Sequence, residues 1–226
     1  MKYILMDVEG TTTSISFVHE VLFPYSIEKL RDYINSHFDD TPVQEALLET
    51  FNTAFEEEKL ILNHNGLIEK LLSWVSIDRK HSALKKLQGL IWSEGYKAGA
   101  LKGHVYEDVP VALKKWKESG LTLGIYSSGS IEAQRVLFGY SISGDLNNYF
   151  SNNFDTSVGQ KRVVTSYQNI LSELKIEAND VLFLSDIAEE LDAAQEVGMQ
   201  TLQLVRLGDV PFAGHTQVKS FNEINP

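Results

Sequence analysis

Four consecutive apolar residues, Tyr3-Ile4-Leu5-Met6, stop abruptly at Asp7 and run on into Val8-Glu9-Gly10-Thr11-Thr12-Thr13. A segment apolar on successive positions has no solvent face, so it suits a strand buried on both sides of a parallel sheet. Such sheets bind ligands beyond the carboxyl ends of their strands, which puts Asp7 where chemistry is expected. Gly10 predicts a turn, and Thr11 to Thr13 add hydroxyls and backbone N–H groups suited to holding a metal and an oxyanion. Asp7 is therefore read as a nucleophile.

The remaining chain shows the same plan after one interruption. Pro24 opens a helical pattern with Ile27, Leu30, Ile34 and Phe38 on one face, and amphipathic segments follow near residues 43–60, 67–75 and 79–96. No strand pattern falls among them, which predicts an all-helical insertion ending at a return linker, His104 to Pro110. Beyond it, helix 111–119, strand 121–126, helix 131–138, strand 149–154, helix 162–174, strand 181–184, a helix ended by Gly198 and strand 201–205 alternate; the tail to Pro226 is weakly patterned. Strands alternating with helices require a doubly wound parallel sheet. The expected organisation is an α/β Rossmann-like core, residues 1–12 and 105–226, with a helical cap at 13–104.

Composition narrows the function. A formal net charge of −11 and pI near 5.0 leave no basic face to displace counterions from nucleic acid. An anionic substrate would need a local cation against that field. No segment reaches the roughly 20 apolar residues of a membrane span. There is no cysteine, which removes disulfides and thiolate metal sites, and no cleavable leader pattern precedes Asp7. A cytoplasmic monomer with no nucleic-acid or membrane partner is expected.

Four strand ends then bring polar groups to one sheet edge: Asp7 with Glu9, Ser127 with Ser128, the loop reaching Lys161, and Asp186. Asp7, Glu9 and Asp186 offer the hard oxygen donors that Mg²⁺ prefers. Ser127 and nearby N–H groups before a helix suit a phosphate, and Lys161 can neutralise both phosphate and nucleophile. Two like unit charges ~4 Å apart repel by about 4 kcal/mol at an effective dielectric near 20, so a carboxylate attacking a phosphate needs both cations. Attack by Asp7 would give an aspartyl-phosphate that water hydrolyses.

These residues resemble the haloacid dehalogenase-like phosphatases: a strand with Asp-x-(Asp/Glu)-x-Thr, a second strand ending in Ser, a distant Lys and a last acidic strand end. The resemblance narrows through Asp7 to Thr12 running into Ser16 to His19 and Leu22 to Tyr25, Gly103 to Tyr106, Tyr126 to Ser130 with Gln134 and Leu137 to Gly139, and Phe154 to Thr156 with Lys161. Over nearly the whole chain it is similar to the enolase-phosphatase family of methionine salvage. That resemblance implies one Mg²⁺ per chain held by Asp7, Glu9 and Asp186, substrate contacts from Ser127, Ser128 and Lys161, and catalysis by Asp7, Glu9 and Lys161. It implies a small phosphate ester as substrate, 5-methylthio-2,3-dioxopentyl phosphate, enolised and then dephosphorylated to an acireductone. Most phosphatases of the superfamily have Asp where this chain has Glu9, whereas Glu is usual in the narrower family. Glu9 either serves the leaving group as acid and base or meets the metal through water or its backbone carbonyl.

Plainer readings stand beside these. A strand-end Asp is commonly a turn-former, Ser-Ser-Gly-Ser a helix cap, and a lysine at a helix start a solvated surface group. Glu190 either orients Asp186 or Lys161 or lies in a solvated first turn. His19 and His104 flank the insertion, whereas His37, His64, His81 and His215 are expected in surface positions. Phe17, Phe23, Tyr25, Trp92 and Tyr96 either meet an apolar substrate tail or pack the core, and Glu56 to Lys59 reads as a solvated helix face. Other function classes remain: a phosphatase or mutase of another sugar phosphate, a phosphoacceptor signalling module, which is normally shorter, or an inactive binding module.

Overall fold

The computed structural model describes residues 1–77, 79–208 and 211–226. The chain runs β1 (Tyr3–Met6), the short turn α1 (Ile15–Phe17), a π-helical stretch Val18–Leu22, and long helices α2 (Phe23–Ser36), α3 (Thr41–Glu58), α4 (His64–Ser76) and α5 (Ser82–Lys97). It continues as α6 (Asp108–Glu118), β2 (Thr122–Tyr126), α7 (Ile131–Gly139), β3 (Asn152–Phe154), α8 (Val164–Leu174), β4 (Val181–Ser185), α9 (Ala188–Glu196), β5 (Gln200–Leu204) and β6 (Gln217–Val218). Its contacts form two compact units, Met1–Phe17 with Lys102–Pro226, and Val18–Leu101.

In the first unit the strands make one parallel sheet in the order β3-β2-β1-β4-β5-β6. β1 is central, and alternation along it explains its continuous apolar character. Ile4 and Met6 pack with Val109, Leu113 and Trp116 of α6 and Phe138 of α7, while Tyr3 and Leu5 pack with Tyr167 and Ile170 of α8 and Leu191 of α9. Burying each such side chain contributes about 1.5–3 kcal/mol, so a central strand with two covered faces is the most firmly anchored place from which to project Asp7. Chain order reverses on either side of β1, the arrangement that opens a crevice at the carboxyl edge.

The second unit has its own core, in which Leu30 and Ile34 of α2, Val43 and Leu47 of α3, Leu71 and Trp74 of α4, and Leu84 and Leu87 of α5 are buried together. Pro residues in the first turns of α2 and α3, and the side chain of Asn63 capping α4 by accepting the Gly66 N–H at 2.9 Å, set the helix starts. No described helix is long and apolar enough to cross a membrane.

Several boundaries differ from expectation for identifiable reasons. α2 ends at Ser36, leaving Phe38 outside it and edge-on to His64, with ring centroids 4.8 Å apart. The third strand shrinks to Asn152–Phe154 because Asn147–Tyr149 closes a 3₁₀ turn. α6 starts at Asp108 and takes Pro110 into its first turn, where a missing N–H is harmless. The tail supplies the edge strand β6. Two histidines expected at the surface are structural instead. His215 is buried between Thr201 and Asp192, at 3.0 Å from each, and His81 caps α5 by accepting the Ala83 N–H. Tyr96 belongs to the core, whereas Glu56 to Lys59 is exposed, with Glu57 paired to Arg79 and Glu58 to Lys70.

Gly103 has no room for a side chain. Its N–H donates to the Tyr140 carbonyl at 2.9 Å, and a Cβ would fall 2.0 Å from the Leu137 carbonyl oxygen, which is backbone and cannot swing aside. Gly103→Ala is expected to lower the unfolding free energy by about 1–3 kcal/mol through overpacking, measured by urea denaturation.

Candidate active site

Asp7 follows the last residue of β1 and is 2% exposed. One carboxylate oxygen, Oδ1, accepts the Val8 N–H at 2.7 Å and also forms a short ion pair with Lys161. Lys161, on the loop between β3 and α8, lies 2.6 Å from Glu190 Oε2 on the first turn of α9. Glu190 in turn accepts a hydrogen bond from the Ser185 hydroxyl at 2.9 Å, at the end of β4. Three segments thus gather one ammonium between two carboxylates. Burial alone would lower the Lys161 pKa, but Asp7 and Glu190 outweigh it and hold the ammonium above its ordinary range. Burial pushes the Asp7 carboxyl well up, and Lys161 is the counter-charge that opposes it.

The turn after Asp7 is tightly built. Val8 C=O accepts the N–H groups of Thr12 and Thr13 at 2.9 Å, and Thr12 Oγ1 donates to the Asp7 and Val8 carbonyls. Gly10 has φ +77°, and a Cβ there would lie 2.2 Å from Asp186 Oδ2, so this glycine gives the Asp186 carboxylate its space. Burial pushes the Asp186 carboxyl up to about 6. Its Oδ1 is buried with no hydrogen-bond partner in the structure, as is Thr11 Oγ1. At the end of β2, Ser127 donates to Glu9 Oε2 at 3.2 Å and accepts the Gly129 N–H at 3.0 Å, while Ser128 is exposed. Gln134 ties this loop down by donating to the Gly129 and Phe154 carbonyls.

Asp7, Glu9, Ser127, Lys161 and Asp186 therefore meet at one sheet edge. Among the described residues no group of three or more His, Cys, Asp or Glu side chains is arranged to hold a metal. The donors nevertheless suit a hard cation that uses one or two carboxylates and fills its remaining positions with water and substrate oxygen. The unpartnered Asp186 Oδ1 is such a donor, and the Glu9 carboxylate is already engaged by Ser127.

Some supporting residues carry no motif. Arg206, just beyond β5, donates from Nε and Nη2 to the Thr11 carbonyl at 2.9 and 2.7 Å, lies 4.3 Å from the Tyr106 ring, and pairs with Asp108 at 2.6 Å. Tyr106 N–H donates to Thr12 C=O at 3.1 Å, and His104 Nδ1 accepts the Ser14 N–H at 3.0 Å. That hydrogen bond fixes the neutral ring with its proton on Nε2. His19 packs edge-on to Phe23 in the helical unit. Arg206 escapes a motif search because a lone arginine after an edge-side strand has no distinctive spacing; its position at the carboxyl edge is the one available signal.

A sequence model of the haloacid dehalogenase-like hydrolases matches residues 1–198, a span that holds the acidic turn after β1 and the Ser, Lys and Asp of the neighbouring strand ends. The chain belongs to that family of hydrolases. Within it, an enolase-phosphatase E1 from Marinobacter nauticus is 47% identical over 226 residues, covering 100% of this chain and 97% of the relative. One from Yersinia enterocolitica is 49% identical over 227 residues, with the same coverage. The crystal structure of UTR4 protein from Saccharomyces cerevisiae superposes with a TM-score of 0.80 at 36% identity, covering 99% of each chain. The chain is a member of the enolase-phosphatase E1 family.

Asp108 gives a test of how the acidic turn is supported. Burial alone would raise its pKa, but hydrogen bonds from Arg206, Ser220 and the Phe221 N–H hold it below 3.8, the ordinary value. A depressed carboxyl pKa contributes stability that is complete above the unfolded value and is lost as pH falls through the folded one. Urea midpoints of the wild type should therefore drop more steeply below pH 3.8 than those of Asp108→Asn, which carries no such titration.

Proposed function

We propose that the site at the ends of β1, β2 and β4 and on the Lys161 loop is the catalytic centre of a magnesium-dependent enolase-phosphatase, with Asp7 as its nucleophile. The enzyme acts on 5-methylthio-2,3-dioxopentyl phosphate, enolising it and removing its phosphate to release an acireductone in methionine salvage. The single observation that carries the residue assignment is the buried Asp7 carboxylate held between the Val8 N–H and the Lys161 ammonium. Such a group is oriented before substrate arrives, and orientation is a large part of the barrier reduction in phosphoryl transfer.

In this reading the free oxygen of Asp7 attacks phosphorus, the ester P–O bond breaks, and the leaving oxygen takes a proton. Water then cleaves the aspartyl-phosphate, returning Asp7 as a carboxylate. Lys161 neutralises Asp7 and the incoming phosphate, and Glu190 keeps Lys161 charged and aimed. Ser127 and Ser128 bind phosphate oxygens. Glu9 serves the leaving group, and Asp7 and Asp186 through their carboxylates, with Glu9 through water or its backbone carbonyl, would hold Mg²⁺. That ion, when bound, would screen the repulsion between carboxylates and phosphate and stabilise charge on the phosphoryl oxygens. The helical insertion carries substrate selection, and the chain works as a cytoplasmic monomer.

Turnover of the diketo phosphate, followed simultaneously as phosphate release and acireductone absorbance, tests the activity; phosphate release without acireductone would point to another ester as substrate. Asp7→Asn is expected to reduce kcat by at least about 10³-fold, as loss of a nucleophile that acts within a concerted set does. A variant retaining substantial phosphatase activity would remove Asp7 from that role. Chelation of divalent metal should abolish phosphate release and added Mg²⁺ should restore it.

A further inference from the structure

Lys161 is 6% exposed, yet it sits on a loop, without a strand ladder or helix to fix its backbone. Four successive carbonyls of that loop each accept a side-chain hydrogen bond. Asn169 donates to Val158 C=O at 2.9 Å, Tyr126 to Gly159 C=O at 2.8 Å, Ser166 to Gln160 C=O at 2.8 Å, and Tyr167 to Lys161 C=O at 2.7 Å. Three of the donors lie within four residues of α8, and the fourth ends β2.

The arrangement has requirements of its own. Gly159 has φ +130°, and a Cβ there would lie 2.1 Å from Ser166 Oγ, so only a glycine lets the loop approach α8 this closely. Tyr126, Ser166 and Tyr167 are fully buried, whereas Asn169 is exposed. The tyrosine rings pack edge-on to each other at 5.7 Å, and Tyr167 packs against Phe183 at 5.3 Å. Burial keeps both phenols protonated, so each is a permanent donor. A buried carbonyl without a donor is costly, and the grip on Lys161 is the innermost of the four.

We propose that Tyr167, with Tyr126 and Ser166, is a positioning residue that fixes the backbone of the Lys161 loop and thereby the placement of the ammonium between Asp7 and Glu190. This rests on the reading of Lys161 as part of the catalytic centre. The long lysine side chain has many rotamers, and charges at its far end leave its near end free to shift. Holding the carbonyl at the residue itself removes that freedom, so the loop behaves as a rigid element at this point.

The test is steady-state turnover by the full-length Tyr167→Phe protein, which keeps the ring and loses only the hydroxyl. We expect kcat to fall about five- to twentyfold with KM changed less than about twofold, because a misplaced ammonium weakens an interaction made in the transition state more than ground-state binding. Ser166→Ala, whose partner carbonyl is one residue further away, is expected to lower kcat in the same manner and serves if Tyr167→Phe does not fold. Asn169→Ala, whose donor is exposed, should leave kcat within about twofold of wild type. A folded Tyr167→Phe protein with unchanged kcat, or one losing only thermal stability, overturns the proposal. The underlying reading fails separately: Lys161→Met with wild-type kcat would exclude Lys161 from the reaction whatever Tyr167→Phe does.

Discussion

The ion pair between Asp7 and Lys161, shared with Glu190, sets the terms for the rest of the sheet-bearing unit. Two carboxylates and one ammonium are withdrawn from water, and each of the three side chains is 10% exposed or less. Desolvating charges is expensive, and removing one partner of a buried pair typically costs about 3–5 kcal/mol because the other is left uncompensated. The arrangement survives only if every charge arrives in place, and those charges come from the turn after β1, from the loop after β3 and from α9. The parallel sheet makes this feasible, since it brings separate chain segments to one edge at fixed spacing and covers both faces with apolar layers. The apolar strand and the acidic turn are one design: the first secures the second.

The turn after β1 must also satisfy backbone groups that no ladder reaches. The Thr11 carbonyl takes two hydrogen bonds from Arg206, the Thr12 carbonyl one from Tyr106, and the Ser14 N–H gives one to His104. These grips come from the segment just before α6, which carries His104 and Tyr106, and from Arg206 just beyond β5, and Asp108 and the Tyr106 ring hold Arg206 itself in place. Arginine suits this duty because its planar fork offers parallel donors to a single carbonyl and a face to an aromatic ring. A lysine could supply charge to Asp108 but neither the fixed fork nor the face against the Tyr106 ring.

Much of this was legible in the sequence, and the limit is physical. β1, β2 and β4 were readable because burial on two faces leaves a continuous apolar run, and Asp7, Ser127 and Asp186 were readable because they stop those runs. β3 is shorter than the pattern predicts, starting at Asn152 after the 3₁₀ turn, and two-residue β6 is invisible to pattern because a strand so short has no period. Sequence alone does not single out Glu190, because its neighbours Glu189 and Asp192 are solvent-facing charges of the same type; only the fold turns one side chain inward beside Leu191 and Ala194. The burial of His215 is hidden in the sequence for a related reason. A histidine in a polar tail carries no local sign of being covered, and its burial depends on Thr201 and Asp192, which are distant in the chain. Arg206 and Tyr167 act on backbone carbonyls, which every residue has, so their targets leave no trace in residue identity.

Ser127 and Glu9 bear most directly on how substrate would change this site. A serine hydroxyl has one hydrogen to donate, and here it is given to Glu9 Oε2 while the oxygen accepts the Gly129 N–H. Under the proposed reading, a phosphate oxygen reaching Ser127 competes with Glu9 for that single hydrogen. Phosphate binding would then free the Glu9 carboxylate, which sits two residues from the nucleophile, at the moment a leaving oxygen needs a proton donor or acceptor nearby. Through that hydrogen bond the Glu9 carboxylate links the turn after β1 to the turn after β2. Under that reading, Glu9 is the residue whose hydrogen bond a phosphate bound at Ser127 would have to break.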